Sequence, residues 1–204
     1  MSEFIRGDCS REKSNMSETL TYLCRQIMKG AQEDGSFLLQ PQGHYSTEAT
    51  LWAALALKNL PEYRSQFLKS AIFLADQQLE DGRLLLDGEC RKVFWLAAPA
   101  IWVWHGLDAF QAQQHLAILF LLGHSGVHYP RKPQSPSEHD TSIRGWPWVA
   151  DTHSWIDPTA MSLMTLRLVN HEKHPRAEEA VKMILDRQLP HGGWNYGNTK
   201  VFGN

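Results

Sequence analysis

WIDPTAMSLMTL, residues 155–166, follows the same pattern as an earlier stretch, STEATLWAALAL, residues 46–57. Each is apolar on nearly every side at helical spacing, and each carries a carboxylate near its start, Asp157 in one and Glu48 in the other. Helices that are apolar all round are typical of a buried layer. The two stretches are therefore predicted to be equivalent inner helices of a helical protein.

Two more landmarks recur along the chain at almost the same shift. They are GSF at Gly35 with GWP at Gly145, and QLEDGRL at Gln78 with QLPHGGW at Gln188. The offset in numbering is 155 − 46 = 109 for the helical stretches, and 145 − 35 = 110 and 188 − 78 = 110 for the other two pairs. Three landmarks at one shift predict an internal duplication, about residues 32–90 and 142–198, within one domain of residues 16–204. Residues 1–15 are predicted to be a flexible N-terminus.

Helical periodicity predicts seven helices, and no segment alternates as a strand does. The inner helices alternate with helices that carry a charged face, so the expected architecture is a curved stack of hairpins. Ser46 or Thr47 is expected to cap the second helix, and Pro99 is expected to kink the fourth helix or end it early. The predicted ranges are Met16–Ala31, Thr47–Asn59, Glu62–Gln78, Phe94–Leu107, Phe110–Gly123, Thr159–Asn170 and Pro175–Arg187.

Composition excludes several classes of partner. Twenty basic and 22 acidic residues give a net charge of −2, so the chain has no electrostatic footprint for nucleic acid. The most apolar run, Val93–Trp104, is too short for a transmembrane segment, while peripheral membrane contact stays open. The polar N-terminus lacks a secretory signal, and the three cysteines form no paired spacing. The sequence therefore predicts a cytoplasmic protein with reduced thiols.

The turns resemble a known repeat. QLEDGRL (78–84) and QLPHGGW (188–194) both follow Gln-x-x-x-Gly-x-Leu/Trp and resemble the Gln–Trp repeat of the squalene–hopene (terpene) cyclase and protein prenyltransferase superfamily. HSWIDPTAMSLMTLRL (153–168) and GGWNYGN (192–198) resemble its small bacterial members with a prenyltransferase or squalene-oxidase repeat. The resemblance covers about residues 17–198 and implies an α/α toroid.

About seven helices are fewer than a closed toroid of that superfamily contains. The expected fold class is therefore all-α, a partial ring of inner and outer hairpins with an open inner face. Large exposed apolar surfaces usually meet a partner. The expected partner is a second copy of the chain or a separate subunit that supplies the other half of the ring.

The resemblance makes Asp157 the candidate catalytic acid. Class II terpene cyclases protonate an alkene or epoxide with the central acid of Asp-x-Asp-Asp, commonly followed by Thr-Ala. On WIDPTA (155–160) the central acid and Thr-Ala match, whereas Trp155 and Pro158 replace the flanking acids. Asp151 and His153 are the other catalytic candidates. The competing interpretation is that Asp157 caps the helix that follows it.

Tryptophans supply the candidate binding wall. Four of the chain's eight lie at positions 146, 148, 155 and 194 around the second copy of the duplicated helix. Trp146, Trp148, Trp155 and Trp52, with Glu48, are expected to bind an apolar substrate, because aromatic faces stabilise cations and pack against hydrocarbon. The alternative is that Trp146 and Trp194 staple turns while the tryptophans on helices fill the core.

Histidines raise the question of zinc. His124, His128 and His153 are the candidate ligands, and a site needs three or four that converge. Zinc-dependent prenyltransferases use an Asp-x-Cys pair, and the nearest match, Asp87-Gly88-Glu89-Cys90, has one residue too many. The prediction is therefore no cofactor and solvated loop histidines, with zinc as the alternative.

Three functions follow from these patterns. The first is a terpenoid- or polyprenyl-handling protein that resembles class II terpene cyclases, with an apolar isoprenoid-type substrate. The second is a non-catalytic toroid module that acts in binding or assembly. The third is a zinc-dependent enzyme that resembles the prenyltransferases. A turnover assay of Asp157→Asn separates the first from the second, and a metal measurement on the purified protein tests the third.

Overall fold

The computed structural model describes residues 18–40, 42–87, 92–134 and 139–195. The predicted flexible N-terminus, residues 1–15, lies outside these ranges. Within them the chain contains seven α-helices and isolated β-bridges in place of strands, which confirms the all-α prediction. The described part of α1 is 18–28, and the other helices are α2 (Thr47–Leu57), α3 (Arg64–Asp76), α4 (Ala97–Trp104), α5 (Gln111–Gly123), α6 (Ile156–Leu168) and α7 (Pro175–Asp186).

Helix boundaries follow local chemistry. Ser46 caps α2 as predicted, because its hydroxyl accepts a hydrogen bond from the N–H of Ala49 (3.3 Å). Pro99 does not end α4 early: the helix begins at Ala97 instead of Phe94 and continues to Trp104, so the proline occupies the first turn, where no helical N–H is required. One-turn 3₁₀ helices, Pro61–Tyr63 and Asp108–Phe110, lead into α3 and α5.

The predicted cap at Asp157 is wrong. α6 begins at Ile156, earlier than the expected Thr159, and its N-cap is Trp155, whose side chain makes no capping hydrogen bond. Asp157 lies within the first helical turn and is exposed. A carboxylate at that place still interacts favourably with the helix dipole. Glu48 occupies the matching place in the first turn of α2.

The chain divides into two compact units, Met1–Phe73 and Leu74–Asn204. The first unit contains a buried cluster to which α1 and α2 both contribute: Cys24, Phe37, Ala53 and Leu57. In the second, α4 packs against α5 and α6, and α6 packs against α7. One polar contact joins two of these helices, because the Thr165 hydroxyl of α6 donates to the Ala98 carbonyl of α4 (3.2 Å).

Glycine turns precede the helical hairpins and share one geometry. In Gln32–Ser36, the N–H of Gln32 donates to the Ser36 carbonyl (2.9 Å), and Gly35 has φ +91°. The same bond recurs at an offset of 79 − 32 = 47, from Leu79 to Arg83 (2.7 Å). Between the bonded residues both turns read Glu-Asp-Gly, and in each the aspartate accepts a hydrogen bond from the N–H two residues on.

The elements that follow these turns recur at the same interval. The helix α3 starts at Arg64 and α5 at Gln111, again an offset of 111 − 64 = 47, and both span 13 residues. A Cβ on Gly35 would overlap the backbone of Lys69 in α3, and a Cβ on Gly82 would overlap that of Leu116 in α5. These two contacts have the same offset, 116 − 69 = 47. Close approach and positive φ therefore require glycine at both turns.

A third turn of this kind is interrupted by a long loop. The bond that corresponds to the one from Leu79, at an offset of 126 − 79 = 47, runs from the N–H of Gly126 to the carbonyl of Gly145 (3.1 Å). Positions 127–144 lie between its partners, whereas only positions 80–82 lie between Leu79 and Arg83. The loop is thus several times longer than the turn it replaces. The bond from Leu189 to Gly193 (3.1 Å) closes a fourth turn without such an extension.

Hydrogen bonds also align the beginnings of α2 and α6. The N–H of Phe37 donates to the Thr50 hydroxyl (2.8 Å), and that of Trp146 donates to the Thr159 hydroxyl (2.9 Å). The donors are offset by 146 − 37 = 109 and the acceptors by 159 − 50 = 109. The two helices therefore have the shift of 109 positions that the sequence predicts. The pairing of Gly35 with Gly145 is displaced by one position, because Ser36 rather than Gly35 corresponds to Gly145.

Candidate functional site

An open cleft of about 440 Å³ in the second unit brings together four of the predicted site residues. Trp148 and Trp155 supply aromatic walls, and Asp151 and His153 supply polar groups. The rest of the lining consists of residues that the sequence did not single out: Val127, Tyr129, Val149 and Thr152. Apolar walls with few polar groups are typical of sites for small molecules.

Short backbone bridges hold the walls in place. The N–H of Val127 donates to the Thr152 carbonyl (2.8 Å), which ties the start of the long loop to the segment that precedes α6. The Trp148 carbonyl accepts from the N–H of Phe94 (3.0 Å), and its indole meets Trp95 edge to face at 5.5 Å. Contacts with the segment before α4 therefore fix the position of the Trp148 wall.

Two details mark the polar side of the cleft. The imidazole of His153 lies over the indole of Trp155, with ring centroids 4.3 Å apart. Asp151 has φ +62°, a left-handed conformation in which aspartate is tolerated better than most residues. Strained backbone of this kind is often found where a side chain has to be held at a binding site.

A buried cation lies next to this polar side. Arg187, which follows α7, is 6% exposed and donates through Nη1 to the carbonyl of Ser154 (2.6 Å). Burial lowers its pKa to about 10, an effect that the nearby charge of Asp186 opposes. Ser154 stands between His153 and Trp155, so the guanidinium bonds to the backbone between two residues of the cleft lining.

Two imidazoles lie within reach of that charge. Burial, and then the Arg187 charge, lower the pKa of His153. The same causes lower the pKa of His139 to about 4, although Asp186 and Asp140 act in the opposite direction. Both histidines are therefore neutral near pH 7. Arg187 was not singled out by the sequence, and only its contact with Ser154 shows its position.

Other predicted residues lie away from this cleft. Trp146 is buried and donates its indole N–H to the Leu121 carbonyl at the end of α5 (2.9 Å), while Arg176 lies 4.5 Å from its ring centroid. Trp194 makes the equivalent bond to Ile184 at the end of α7 (2.8 Å). Both tryptophans staple turns, in agreement with the alternative interpretation of the sequence. Asp157 does not line the cleft.

A second cleft, of about 680 Å³, belongs to the first unit. It lies between α1, residues 37–40 and α2, and Trp52 contributes to its lining. Trp52 is 41% exposed, and Leu39 beside it is 64% exposed. Glu48 is half-buried in the first turn of α2 and does not line this cleft. The polar side chains of its lining are Gln26, Lys29 and Gln40, and Nζ of Lys29 donates to Oε1 of Gln26 (2.6 Å).

The candidate zinc ligands do not converge. Nδ1 of His124 lies 2.9 Å from the Phe120 carbonyl and its ring stacks on Phe120, while His128 is exposed. Among the described residues, no group of three His, Cys, Asp or Glu side chains is placed to hold a metal ion. The Asp-x-x-Cys segment falls largely outside those residues. Cys24 is a free, buried thiol.

In the part of the chain that the structure covers, no helix combines the length and apolar character needed to cross a membrane. No known family model matches the chain, and no curated protein matches it.

Proposed function

We propose that the chain is a helical-hairpin repeat protein of the α/α toroid type that binds an apolar, isoprenoid-like molecule in the Trp148–Trp155 cleft without transforming it. The observation that carries the proposal is the cleft itself, which places two indoles and aliphatic side chains around a few polar groups. Flat aromatic walls match a branched, unsaturated hydrocarbon.

The repeat part of the proposal is supported by the turns. Equivalent hydrogen bonds begin at Gln32, Leu79, Gly126 and Leu189, and each precedes a further helix or the end of the described chain. The offset of 47 (79 − 32) lies within the range of helical-pair repeats, whose hairpins bury their faces against neighbours. The resemblance to the Gln–Trp repeat agrees with this: Nε2 of Gln78 donates to the carbonyls of Gly82 (3.3 Å) and Gln113 (2.9 Å).

Binding rather than cyclisation is proposed because of Asp157. Protonation of an alkene requires a strong acid shielded from water and a dry cavity for the resulting cation. Asp157 is exposed, and the cleft is open to solvent. Zinc chemistry is not proposed either, because the candidate histidines do not form a ligand group within the described chain.

Titration with farnesol, followed by tryptophan fluorescence and calorimetry, tests this function. We expect saturable binding, weakened about tenfold or more by Trp148→Ala, since that change removes a wall worth about 1.4 kcal/mol or more. Trp52→Ala is the matched control, because it removes a partly exposed indole outside the cleft and should leave farnesol affinity unchanged. Equal loss in both variants, or no saturable binding to the parent protein, contradicts the proposal.

A second copy of the chain is the proposed partner. Thr165, through which α6 contacts α4, corresponds to Ala56 in α2 (165 − 56 = 109), and Ala56 is exposed. Trp52 lies one helical turn before it on the same face. The face that α6 buries against a neighbouring helix is therefore open in α2, and a helix of another copy would fit it.

A further inference from the structure

Two of the glycine turns pack directly on a helix that follows them. The turn at Gly35 meets α3 at Lys69. The turn at Gly82 meets α5 at Leu116. In both places a Cβ on the glycine would overlap the backbone of the helix, so turn and helix lie in direct contact. We call this arrangement the turn–helix contact, and the chain makes it twice at the same interval as the turns (116 − 69 = 47).

A hydrogen bond accompanies each turn–helix contact. Nε2 of Gln78, the residue before the second turn, donates to the Gln113 carbonyl of α5 (2.9 Å). At the first turn the bond has the opposite direction, because the Ser70 hydroxyl of α3 donates to the Gly35 carbonyl (2.7 Å). The contact therefore combines close packing with a polar bond that fixes its register.

The fourth turn has the same backbone but no such helix among the described residues. Gly192 has φ +90°, close to the +94° of Gly82, and nothing in the described chain lies within 4 Å of a Cβ placed on it. Gln188 precedes this turn as Gln78 precedes the second (188 − 78 = 110), and Gln188 is exposed. The fourth turn therefore presents one half of a turn–helix contact.

Helix α1 corresponds to α3 and α5. The N–H of Ala31, after α1, donates to the Met28 carbonyl (3.2 Å). The N–H of Gln78, after α3, donates to the Ala75 carbonyl (3.1 Å). Donors and acceptors both differ by 47 positions (78 − 31 = 47 and 75 − 28 = 47), which is also the offset between α3 and α5. Each described residue of α1 therefore has a counterpart in the two helices that receive a turn.

The side of α1 that corresponds to the docked side of α3 is apolar and exposed. Leu23 takes the place of Ser70 (70 − 23 = 47), and Leu20 takes the place of Phe67 (67 − 20 = 47). The two leucines are 51% and 48% exposed, whereas both counterparts in α3 are fully buried. We call Leu20, Tyr22 and Leu23 the receiving face, and Tyr22 is 61% exposed. An exposed apolar face of this kind is typical of a contact surface.

We propose that a second copy of the chain covers the receiving face: the fourth turn of one copy docks on α1 of the next and makes the turn–helix contact between molecules. The occupant is a copy of this chain because its own turns already pack on the same side of α3 and α5, so the new contact continues an interface that the repeat contains. The inference rests on the proposed partnership of two copies and deepens it, because it names two different surfaces that meet head to tail.

The register of this contact follows from the internal ones. Gln113, which accepts the bond from Gln78, corresponds to Thr19 of α1 (113 − 19 = 94, twice the interval of 47). Nε2 of Gln188 in one copy therefore donates to the Thr19 carbonyl of the next copy. The backbone at Gly192 then lies against the receiving face.

The receiving face continues into the cleft of the first unit. Ile27 follows Leu23 by one helical turn on the same side of α1, and it lines that cleft together with Trp52 of α2. The exposed side of α1 and the open face of α2 therefore adjoin, and one partner can cover both.

Two variants of the full chain, each defective in one surface, test the proposal. Leu23→Glu places a carboxylate in the receiving face, and Gln188→Glu replaces the amide donor by an acceptor that meets a carbonyl. Both positions are exposed, so both proteins should fold, which circular dichroism checks. Light scattering should show that each variant alone associates at least about tenfold more weakly than the parent protein.

A mixture of the two variants separates head-to-tail association from symmetric pairing. Leu23→Glu keeps its fourth turn and Gln188→Glu keeps its receiving face. An equimolar mixture should therefore form complexes of two chains, one of each variant, and no larger ones. Leu20→Glu, one turn earlier on the receiving face, should behave as Leu23→Glu does in both measurements.

Matched controls carry a glutamate outside both surfaces. Arg25 is exposed on the opposite side of α1 from Leu23, because positions two apart on a helix point about 200° apart. Gln111 is exposed at the start of α5. Arg25→Glu and Gln111→Glu should associate as the parent protein does, and a control that weakens association as much as its matched variant overturns the proposal.

Two outcomes separate this inference from the proposed function. A mixture that forms no mixed complex, although the parent protein associates, overturns the head-to-tail contact while a second copy stands as the partner. A monomeric parent protein overturns the contact and the proposed partner together, while saturable farnesol binding by that protein leaves the function of the Trp148–Trp155 cleft standing.

Discussion

Gly82 and Gly192 share a left-handed backbone but differ in their surroundings. Their φ angles are +94° and +90°, and a Cβ on Gly82 would overlap the Leu116 carbonyl, whereas one on Gly192 meets nothing within 4 Å. Gly192→Ala should lower the free energy of unfolding by about 1–2 kcal/mol, the cost of the backbone alone. Gly82→Ala should cost about 3–5 kcal/mol, because displacement of α5 adds an overpacking penalty. Urea unfolding of both variants measures the difference, and equal losses contradict the close approach.

Trp146 and Trp194 provide a second matched pair. Each indole N–H donates to a carbonyl in the last turn of a helix, where no N–H of the same helix is available to bond it. Trp146→Phe should destabilise the protein by about 1–3 kcal/mol, because it leaves a buried acceptor unpaired. Trp194 is 44% exposed, so water replaces the indole in Trp194→Phe and the loss should stay below about 1 kcal/mol. A larger loss for Trp194→Phe would contradict this account.

Single residues also show how much of the candidate site can be predicted from the sequence. Trp148, Trp155, Asp151 and His153 were predicted, and they meet in one cleft because they are close in the chain. The Asp157 cap was wrong, because a proline is accepted throughout the first helical turn and its position does not fix where the helix begins. Arg187 was missed: it is 33 residues from Ser154, and no local pattern indicates the contact that buries it.

At the scale of elements, helices were predictable because their apolar spacing is local. The shorter recurrence, from Gln32 to Leu79 to Gly126, was not, because the segment inserted between Gly126 and Gly145 hides the third turn and leaves only the longer shift visible. Inserted segments on a repeat scaffold are where binding residues are often placed. The long loop here supplies Val127 and Tyr129 to the cleft.

Removal of that loop is the prediction that belongs to this scale. Residues 127–144 are replaced by Glu-Asp-Gly, the three residues between Leu79 and Arg83. We expect cooperative unfolding to persist, because the bond from Gly126 to Gly145 can close as it does in the shorter turns. Farnesol binding should be lost with one wall of the cleft. Circular dichroism and calorimetry check both statements, and a variant that does not fold would show that the loop belongs to the core.

At the scale of the whole molecule, acid should destabilise the protein. The pKa of His139 is about 4 in the folded state and that of His153 is also lowered, so the unfolded chain binds more protons below the ordinary histidine pKa. Stability is therefore full above about pH 6.5 and falls as the pH decreases toward 4, by at most about 1.4 kcal/mol per pH unit for the proton on His139 and by less for the exposed His153. His139→Gln should flatten this profile, while His115→Gln should not. An unchanged profile in His139→Gln would contradict its neutral state.

The last prediction is self-association, which follows from exposed apolar residues on α2 and α6. The α2 face carries Trp52 and Ala56, and α6 exposes Met164 (62%) and Leu168 (40%), whereas the ends of helical-repeat proteins are usually polar. Because the α2 face is equivalent to one that α6 buries, we expect the chains to associate through it and to give a solution mass at least twice that of one chain. Trp52→Glu should yield monomers, since a carboxylate cannot be buried there unpaired. Ile72→Glu, at an exposed position of α3, is the control and should leave the mass unchanged. Size-exclusion chromatography with light scattering measures the solution mass. A monomeric parent protein contradicts the proposed partner. Equal dissociation by both variants would mean that association does not depend on the α2 face.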